Sequence, residues 1–501
     1  MTVRLDVDPT PATVSAAIDF ASRHFAVVIA AYFALQAAIR IAVSPELGMD
    51  DAELVLLTRS WDWGYGSQPP LYTWLQATVF AIAGESLASV ILLKNALLAT
   101  TCVFVHRTAL RVLGDPLAAL AAAMSLFLLP QVAWESQRAL SHTVLAVAVS
   151  SILLLVTVRL VEERRTTDYL LAGALIAAGL LSKLNVIYFV AALAAAAVTT
   201  PAGRAALFDR RSLATAAVAA VLLAPTTIWM FGHRDAVTHR VEKFGLGEGD
   251  GVVGSLVLGI GDFVVAAAAF LALLVAVAGL LTVRAGRGTA ASPSPSLVFL
   301  ARALAIGLLI VLATVVASGA TNVKDRWLQP ILFYAPIVVV GLLSRRLPPA
   351  RLRALALVSA LAAMAVMVAL PSRIALADRE KVPVENKPYG AFAEEIRAST
   401  GFESGTILAG DYATGGNLAI RFPDASALIP EYGDLDVPTP WPVLVAWTGD
   451  GDAPPAALAD AFARRFGHTL PAGEATVIRA PVHYGDGAQD MLRVRRIDQP
   501  G

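Results

Sequence analysis

Met49-Asp50-Asp51-Ala52-Glu53 puts three carboxylates within about one helical turn, directly after an apolar run of bilayer length. A carboxylate held partly desolvated at a membrane surface is placed to act as a general base on a hydroxyl. The same spacing also serves a helix start, where Asp51 and Glu53 would cap the N-terminus and face the positive end of the helix dipole. Lys183 lies between two apolar runs, where a lone ammonium is costly unless it pairs or snorkels, so it either marks a short interfacial turn or meets a bound anion. Arg326 precedes Trp327 at the entry to another apolar stretch; its guanidinium suits bidentate phosphate binding, and interfacial anchoring would explain it as well. Lys324 could assist in either role. In the run Trp134 to His142, Glu135, Arg138 and His142 either line a pocket or belong to a solvated loop whose histidine caps the next helix. His233, His239, Arg240 and Lys243 form a further cluster suited to an anionic head group. Two histidines six apart match no firm metal pattern, so no metal site is predicted. Lys94 and Asp262 fall inside apolar stretches and read as snorkelling or cavity-facing residues.

The elements that must carry these residues follow from composition. Of 501 residues 57% are hydrophobic and 16% charged, where a soluble domain carries about 25% charge. Apolar stretches near bilayer length fall at 24–43, 87–110, 116–133, 141–158, 168–182, 184–200, 212–231, 254–283, 299–317, 327–344 and 354–371. About eleven transmembrane helices are therefore expected, which excludes a single-pass receptor, a disordered chain and an ordinary soluble enzyme. Lys and Arg number 39 against 39 Asp and Glu, so no basic bias points to nucleic acid. The lone Cys102 provides neither a disulfide framework nor a thiolate metal cluster.

Alternation of the loops gives an orientation, because basic residues concentrate on the cytoplasmic side. With a cytoplasmic N-terminus, Arg107, Arg111, Arg159, Arg164, Arg165, Arg204, Arg210, Arg211, Arg284, Arg287, Arg345, Arg346, Arg351 and Arg353 all fall inside. Asp50, Asp51, Glu135, the cluster from His233 to Lys243, and Lys324 to Arg326 all fall outside. Residues 1–20 are polar and acidic with no cleavage site after a short apolar core, so the first span is expected to be retained, with 1–23 a cytoplasmic segment. An odd number of spans puts the tail on the outer side.

The first outer loop, 44–86, is long and apolar. Leu54, Leu57, Trp61 and Trp63 suit a helix lying in the membrane interface. A second amphipathic segment, 71–82, carries Tyr72, Trp74 and Phe80, and Gly64, Gly66 and Pro69-Pro70 force a turn between the two. Beyond about residue 372 Gly, Pro, Asp and Glu become frequent, and short β-like runs alternate with helical stretches such as 454–466. A small α/β soluble domain over 372–501 is expected.

Met49-Asp50-Asp51-Ala52-Glu53, followed by Trp63-Gly64-Tyr65-Gly66-Ser67-Gln68-Pro69-Pro70-Leu71-Tyr72-Thr73-Trp74-Leu75, resembles the first periplasmic loop of the glycosyltransferase family 39 and 83 group. That group includes bacterial lipid A aminoarabinose transferases and is related to protein O-mannosyltransferases. The resemblance continues in Gly179-Leu180-Leu181-Ser182-Lys183, in 229–243 and in Lys324-Asp325-Arg326-Trp327-Leu328-Gln329-Pro330, and covers roughly 25–345. Asp51 stands where the family's motif has Glu, so the aligned base is either Asp50 or Asp51.

The resemblance implies a GT-C fold over 24–371 and an inverting transfer from a polyprenyl-phosphate sugar to a periplasmic acceptor. The acceptor would be lipid A, lipopolysaccharide core, another envelope glycan or a protein. One carboxylate, Asp50 or Asp51, would deprotonate the incoming hydroxyl. Lys183 and Arg326, helped by Lys324, would answer the negative charge growing on the departing phosphate. Glu53, Gln68, Tyr72, Glu135, Arg138, His142, His239 and Lys243 would line the substrate pocket. The partners are then the lipid donor, the acceptor and the bacterial inner membrane. No cofactor is required, and no divalent cation is indicated. The competing class is a transporter or flippase, which should carry its polar residues near the membrane midplane rather than at one face. A third reading is a non-catalytic scaffold whose tail does the work.

Overall fold

In the computed structural model the described residues are 11–234, 251–282, 292–377, 382–432, 435–449 and 451–499. Among them seven helices are long and apolar enough to cross a bilayer: Phe25–Val43, Leu87–Leu113, Ser141–Glu163, Ser212–Gly232, Val253–Thr282, Pro295–Ser318 and Pro349–Ala375. Two bent pairs, Pro116–Leu128 with Gln131–Arg138 (73°) and Val186–Val198 with Pro201–Leu207 (119°), make nine if each is one span. The other two of the eleven apolar stretches, Thr166–Ser182 and Gln329–Leu343, are helices of fewer than 18 residues. The sequence reading overlooked these breaks. Pro130 and Pro201 stand at the two bends, where a residue without an N–H cannot continue the ladder.

Helix is the form these apolar segments must take, because it alone satisfies every backbone group within one segment. The chain punctuates them with local signals. Leu87–Leu113 stops at Gly114, whose φ of 68° suits glycine, and Asp115 then accepts a hydrogen bond from the Leu117 N–H at 2.9 Å to start the next helix, with Pro116 in its first turn. Ser141–Glu163 is the most enclosed span, 67% buried, whereas Ser212–Gly232 is 11% buried, so the former is central and the latter peripheral.

From Tyr389 on, the chain builds a five-stranded sheet: β1 Gly405–Ala409, β2 Ala425–Leu428, β3 Val443–Trp447, β4 Thr476–Pro481 and β5 Gln489–Ile497, in the order β2-β1-β3-β5-β4. β1 pairs in parallel with β2 and β3, and β5 is antiparallel to β3 and β4. Helices Tyr389–Thr400, Tyr412–Arg421 and Ala456–Phe466 accompany it.

Helix Met49–Leu57 is sandwiched between this sheet part and the bundle. One hydrophobic cluster runs from Val90, Leu145 and Val149 through Leu54 and Leu57 to Ile407 and Leu444. This corrects the sequence reading of a membrane-lying helix. Leu54 and Leu57 are buried against protein, and only Trp61 and Trp63 stay exposed, packed on Trp74 with ring centroids 5.1 and 5.4 Å away. Helix Tyr412–Arg421 fits so closely that a Cβ on Gly416 would lie 2.2 Å from the Ala52 carbonyl oxygen. Asn417 adds a pair of hydrogen bonds, accepting from Leu47 N–H at 2.8 Å and donating to Leu47 O at 3.3 Å.

Overpacking of this kind costs about 1–3 kcal/mol. Gly416→Ala is therefore expected to lower the melting temperature in detergent. Gly279→Ala, where an added Cβ meets nothing within 4 Å, should leave it unchanged.

Candidate active site

Asp50 and Asp51 are consecutive on helix Met49–Leu57, so their side chains leave it about 100° apart. Asp51 turns into the bundle and is 3% exposed, with Oδ1 2.6 Å from the Lys94 Nζ. Lys94, read from the sequence as snorkelling or cavity-facing, is instead the buried partner of this ion pair. Asp50 turns the other way and stays half-buried, its Oδ2 accepting the Leu140 N–H at 2.7 Å. Neither carboxylate caps its helix, whose N-cap is Gly48 with no side-chain cap bond. Leu140 is held at φ 64°, the left-handed region a branched residue avoids, and this conformation aims its N–H at Asp50.

Lys183 follows helix Thr166–Ser182 and donates to the Thr143 Oγ1 at 2.5 Å. Its ammonium is pushed down to about 8, first by burial and then by the positive charge of Arg326, with Asp50 opposing the shift. Both charges are therefore within electrostatic reach of Lys183, although the three residues span Asp50 to Arg326 in sequence. Hydrogen bonds explain the convergence. Asn185 donates to the Trp327 carbonyl at 3.0 Å, Gln131 donates to the Asp325 carboxylate, and Gln329 donates to the Ser136 Oγ at 2.7 Å. The segment 324–329 is thus tied both to the Lys183 turn and to the π-helix Gln131–Glu135. Arg326 and Lys324 are exposed.

Tyr72 is fully buried, its ring 5.5 Å from that of His142 and its hydroxyl facing that of Ser141. Glu135 and Arg138 form an ion pair of 2.7 Å at the surface. Glu53 faces away from this group and accepts from the Tyr432 hydroxyl at 2.5 Å, which makes it a contact to the sheet part. Gln68 exchanges two backbone hydrogen bonds of 3.0 Å with Tyr65 across the turn at Gly66. Gly64 lets the Trp229 ring close on the loop, since a Cβ there would sit 2.4 Å from it. His239 and Lys243 lie outside the described residues, and Asp262 is exposed. Among the described residues no group of His, Cys, Asp and Glu could hold a metal ion.

The sequence reading missed Thr143 and Leu140. Leu140 carries no side-chain signal, because its contribution is a backbone N–H. The group offers one carboxylate within electrostatic reach of a half-buried lysine, which in turn feels an exposed arginine. Chemically it can take a proton from a hydroxyl and hold an anion.

A family profile described as dolichyl-phosphate-mannose-protein mannosyltransferase matches residues 67–229. The chain is 33% identical over 496 residues, 95% of its length and 97% of the other's, to the lipopolysaccharide core galacturonosyltransferase RgtB of Rhizobium johnstonii. To the lipopolysaccharide core galacturonosyltransferase RgtA of the same organism it is 30% identical over 433 residues, 84% of this chain and 86% of that one. Among solved structures, ArnT from Cupriavidus metallidurans bound to undecaprenyl phosphate shares the fold with a TM-score of 0.59 at 14% identity, covering 94% of this chain and 98% of that one.

Removing one partner of a buried ion pair leaves an uncompensated charge and costs about 3–5 kcal/mol. Lys94→Met should accordingly unfold at markedly lower temperature than the unaltered protein. The double variant Lys94→Met/Asp51→Asn should regain most of the loss in the same thermal melt.

Proposed function

The chain belongs to the GT-C superfamily of membrane glycosyltransferases, together with RgtA and RgtB, and from that premise we propose that it transfers a sugar from a polyprenyl-phosphate donor to lipopolysaccharide core or another envelope glycan. Galacturonate, the sugar in the relatives' names, is the first donor to test. The observations that support the proposal are the Asn185 bond to the Trp327 carbonyl, which ties the Lys183 turn to the Arg326 segment, and the charges of Asp50 and Arg326 felt at Lys183. The loop charges support an inner membrane with eleven crossings, a cytoplasmic N-terminus and residues 372–501 on the periplasmic face.

In this mechanism the donor's lipid tail stays in the bilayer and its phosphate sits against Lys183 and Arg326. Asp50 takes the proton of the acceptor hydroxyl. The freed oxygen attacks the anomeric carbon from the face opposite the phosphate, the carbon–oxygen bond to the phosphate breaks, and configuration inverts. The electron pair leaves with the polyprenyl phosphate, whose added negative charge the lysine and arginine stabilise without a general acid. The Leu140 N–H orients Asp50 while leaving its second oxygen for the acceptor. Asp51, neutralised by Lys94, positions the helix. The anion site at one face favours this reading over a transporter.

Loss of a positioned general base costs about 10²–10⁴ in rate. Asp50→Asn, which can still accept from Leu140, should lower kcat by that factor in proteoliposomes containing polyprenyl-phosphate galacturonate, with the melting temperature preserved. Unchanged transfer by Asp50→Asn would remove Asp50 as the base.

Lys183 is charged below its pKa of about 8 and neutral above it. The donor's kcat/KM should therefore fall as pH rises through about 8. Lys183→Arg, charged throughout, should abolish that falling limb, and Lys183→Met should be slow and flat across the same range. A wild-type profile with no fall up to pH 9.5 would count against phosphate binding by Lys183.

A further inference from the structure

Lys183 starts from a fixed backbone. It ends helix Thr166–Ser182 in an extended conformation, its N–H bonded to the Gly179 carbonyl at 2.9 Å and its carbonyl to the Val186 N–H at 3.1 Å. The turn is tight, since a Cβ on Gly179 would lie 2.8 Å from the Val186 side chain. Four flexible carbons still separate that backbone from the ammonium, and a lysine side chain left to itself spreads its charge over many rotamers. Among the described residues the ammonium has one hydrogen-bond anchor, the Thr143 Oγ1 at 2.5 Å. Thr143 is 1% exposed on helix Ser141–Glu163, and a packed β-branched side chain has little freedom about its first torsion, so the accepting oxygen is itself fixed.

The same turn holds the carboxylate. Three residues before Thr143, the Leu140 N–H donates to the Asp50 Oδ2 at 2.7 Å. Two anchors three residues apart at a helix start lie about 4.5 Å apart along its axis. Among the described residues Asp50 and Lys183 form no ion pair with each other, so each is set by its own bond to the turn 140–143 rather than by mutual attraction. The charges felt at Lys183 are those of Arg326 and, in the opposite sense, Asp50. Asp325, beside Arg326, is engaged by Gln131, and His142, between the two anchors, packs on Tyr72.

We infer that Thr143 is a positioning residue for the transfer: its hydroxyl holds the Lys183 ammonium on the turn whose leading N–H holds Asp50, so the start of helix Ser141–Glu163 spaces the base from the cation. The assignment rests on the transferase reading above. An ammonium has three N–H donors, of which Thr143 takes one and two remain for the donor phosphate. The bond also acts on the proton. A hydrogen bond from a charged donor is roughly twice as strong as one between neutral groups, so the Thr143 oxygen favours the ammonium over the free amine. Losing it lowers the Lys183 pKa below its value of about 8, and the charge that answers the leaving phosphate then vanishes at lower pH.

The test compares Thr143→Val, which keeps the shape and removes the acceptor, with Thr143→Ser, which keeps the acceptor, in the full-length protein in proteoliposomes. With polyprenyl-phosphate galacturonate, Thr143→Val should lower the donor kcat/KM about tenfold, the size of one charge-assisted hydrogen bond. Its falling limb should move about one pH unit below that of the wild type, and the acceptor KM should stay within about twofold. Thr143→Ser should recover both rate and limb. In a Lys183→Met background Thr143→Val should cost less than about twofold more, because a residue acting through the lysine has nothing left to hold. Competitive acetylation read by mass spectrometry follows the ionisation of Lys183 without any transfer, and its midpoint should fall in Thr143→Val and return in Thr143→Ser. An unmoved midpoint in Thr143→Val would overturn the inference, as would equal losses in the wild-type and Lys183→Met backgrounds. A moved midpoint alongside wild-type protein that transfers no sugar would remove the transferase reading and leave the hold of Thr143 on Lys183 standing.

Discussion

Lys94 sits about two turns into an apolar helix with 1% of its surface exposed, and an ammonium buried there must be answered by a carboxylate. Asp51 supplies it at 2.6 Å. That single pairing fixes the rotation of helix Met49–Leu57 on the bundle, and the rotation in turn decides where the preceding residue points. With about 100° between successive side chains, sending Asp51 inward sends Asp50 toward Leu140 and the Lys183 turn. The arrangement of the candidate active site is a geometric consequence of neutralising one buried charge.

A second constraint acts from the other face. Helix Tyr412–Arg421 closes over the short helix through Gly416, and Arg421 with His483 answers the fully buried Glu46 at 2.5 and 3.0 Å. Tyr432 holds Glu53. The segment 44–57 is thus gripped on both sides, by the spans through Lys94 and by the sheet part through Asn417, Arg421 and Tyr432. A base that has to meet a hydroxyl within hydrogen-bond distance gains from such a rigid mount.

Much of this was legible in sequence where the signal is local. Apolar runs give helices, and an acidic triplet leaving a span or a lysine between two apolar runs stands out by type and position alone. The pairing of Lys94 with Asp51 was not legible, because a lone cation in an apolar stretch looks the same whether it snorkels or meets a carboxylate 43 residues away. Leu54 and Leu57 misled for a similar reason: an apolar stripe says that something covers it and is silent on whether lipid or protein does so. β2, Ala-Ser-Ala-Leu at the border of the sheet, gives little signal because it is short and carries no β-branched residue. The Leu140 N–H acts through a backbone group that sequence patterns do not mark.

The grip on residues 44–57 also sets an order of assembly. Leu47 is bonded to Asn417, 370 positions later in the chain. A ribosome adding roughly 5–20 residues per second needs on the order of 20–70 s to cover that distance. Throughout that interval the first loop is already made, with Glu46 lacking Arg421 and Gly48 to Leu57 lacking the helix that covers them. The acidic loop therefore waits, half-built, through most of translation, until helix Tyr412–Arg421 emerges to cover it.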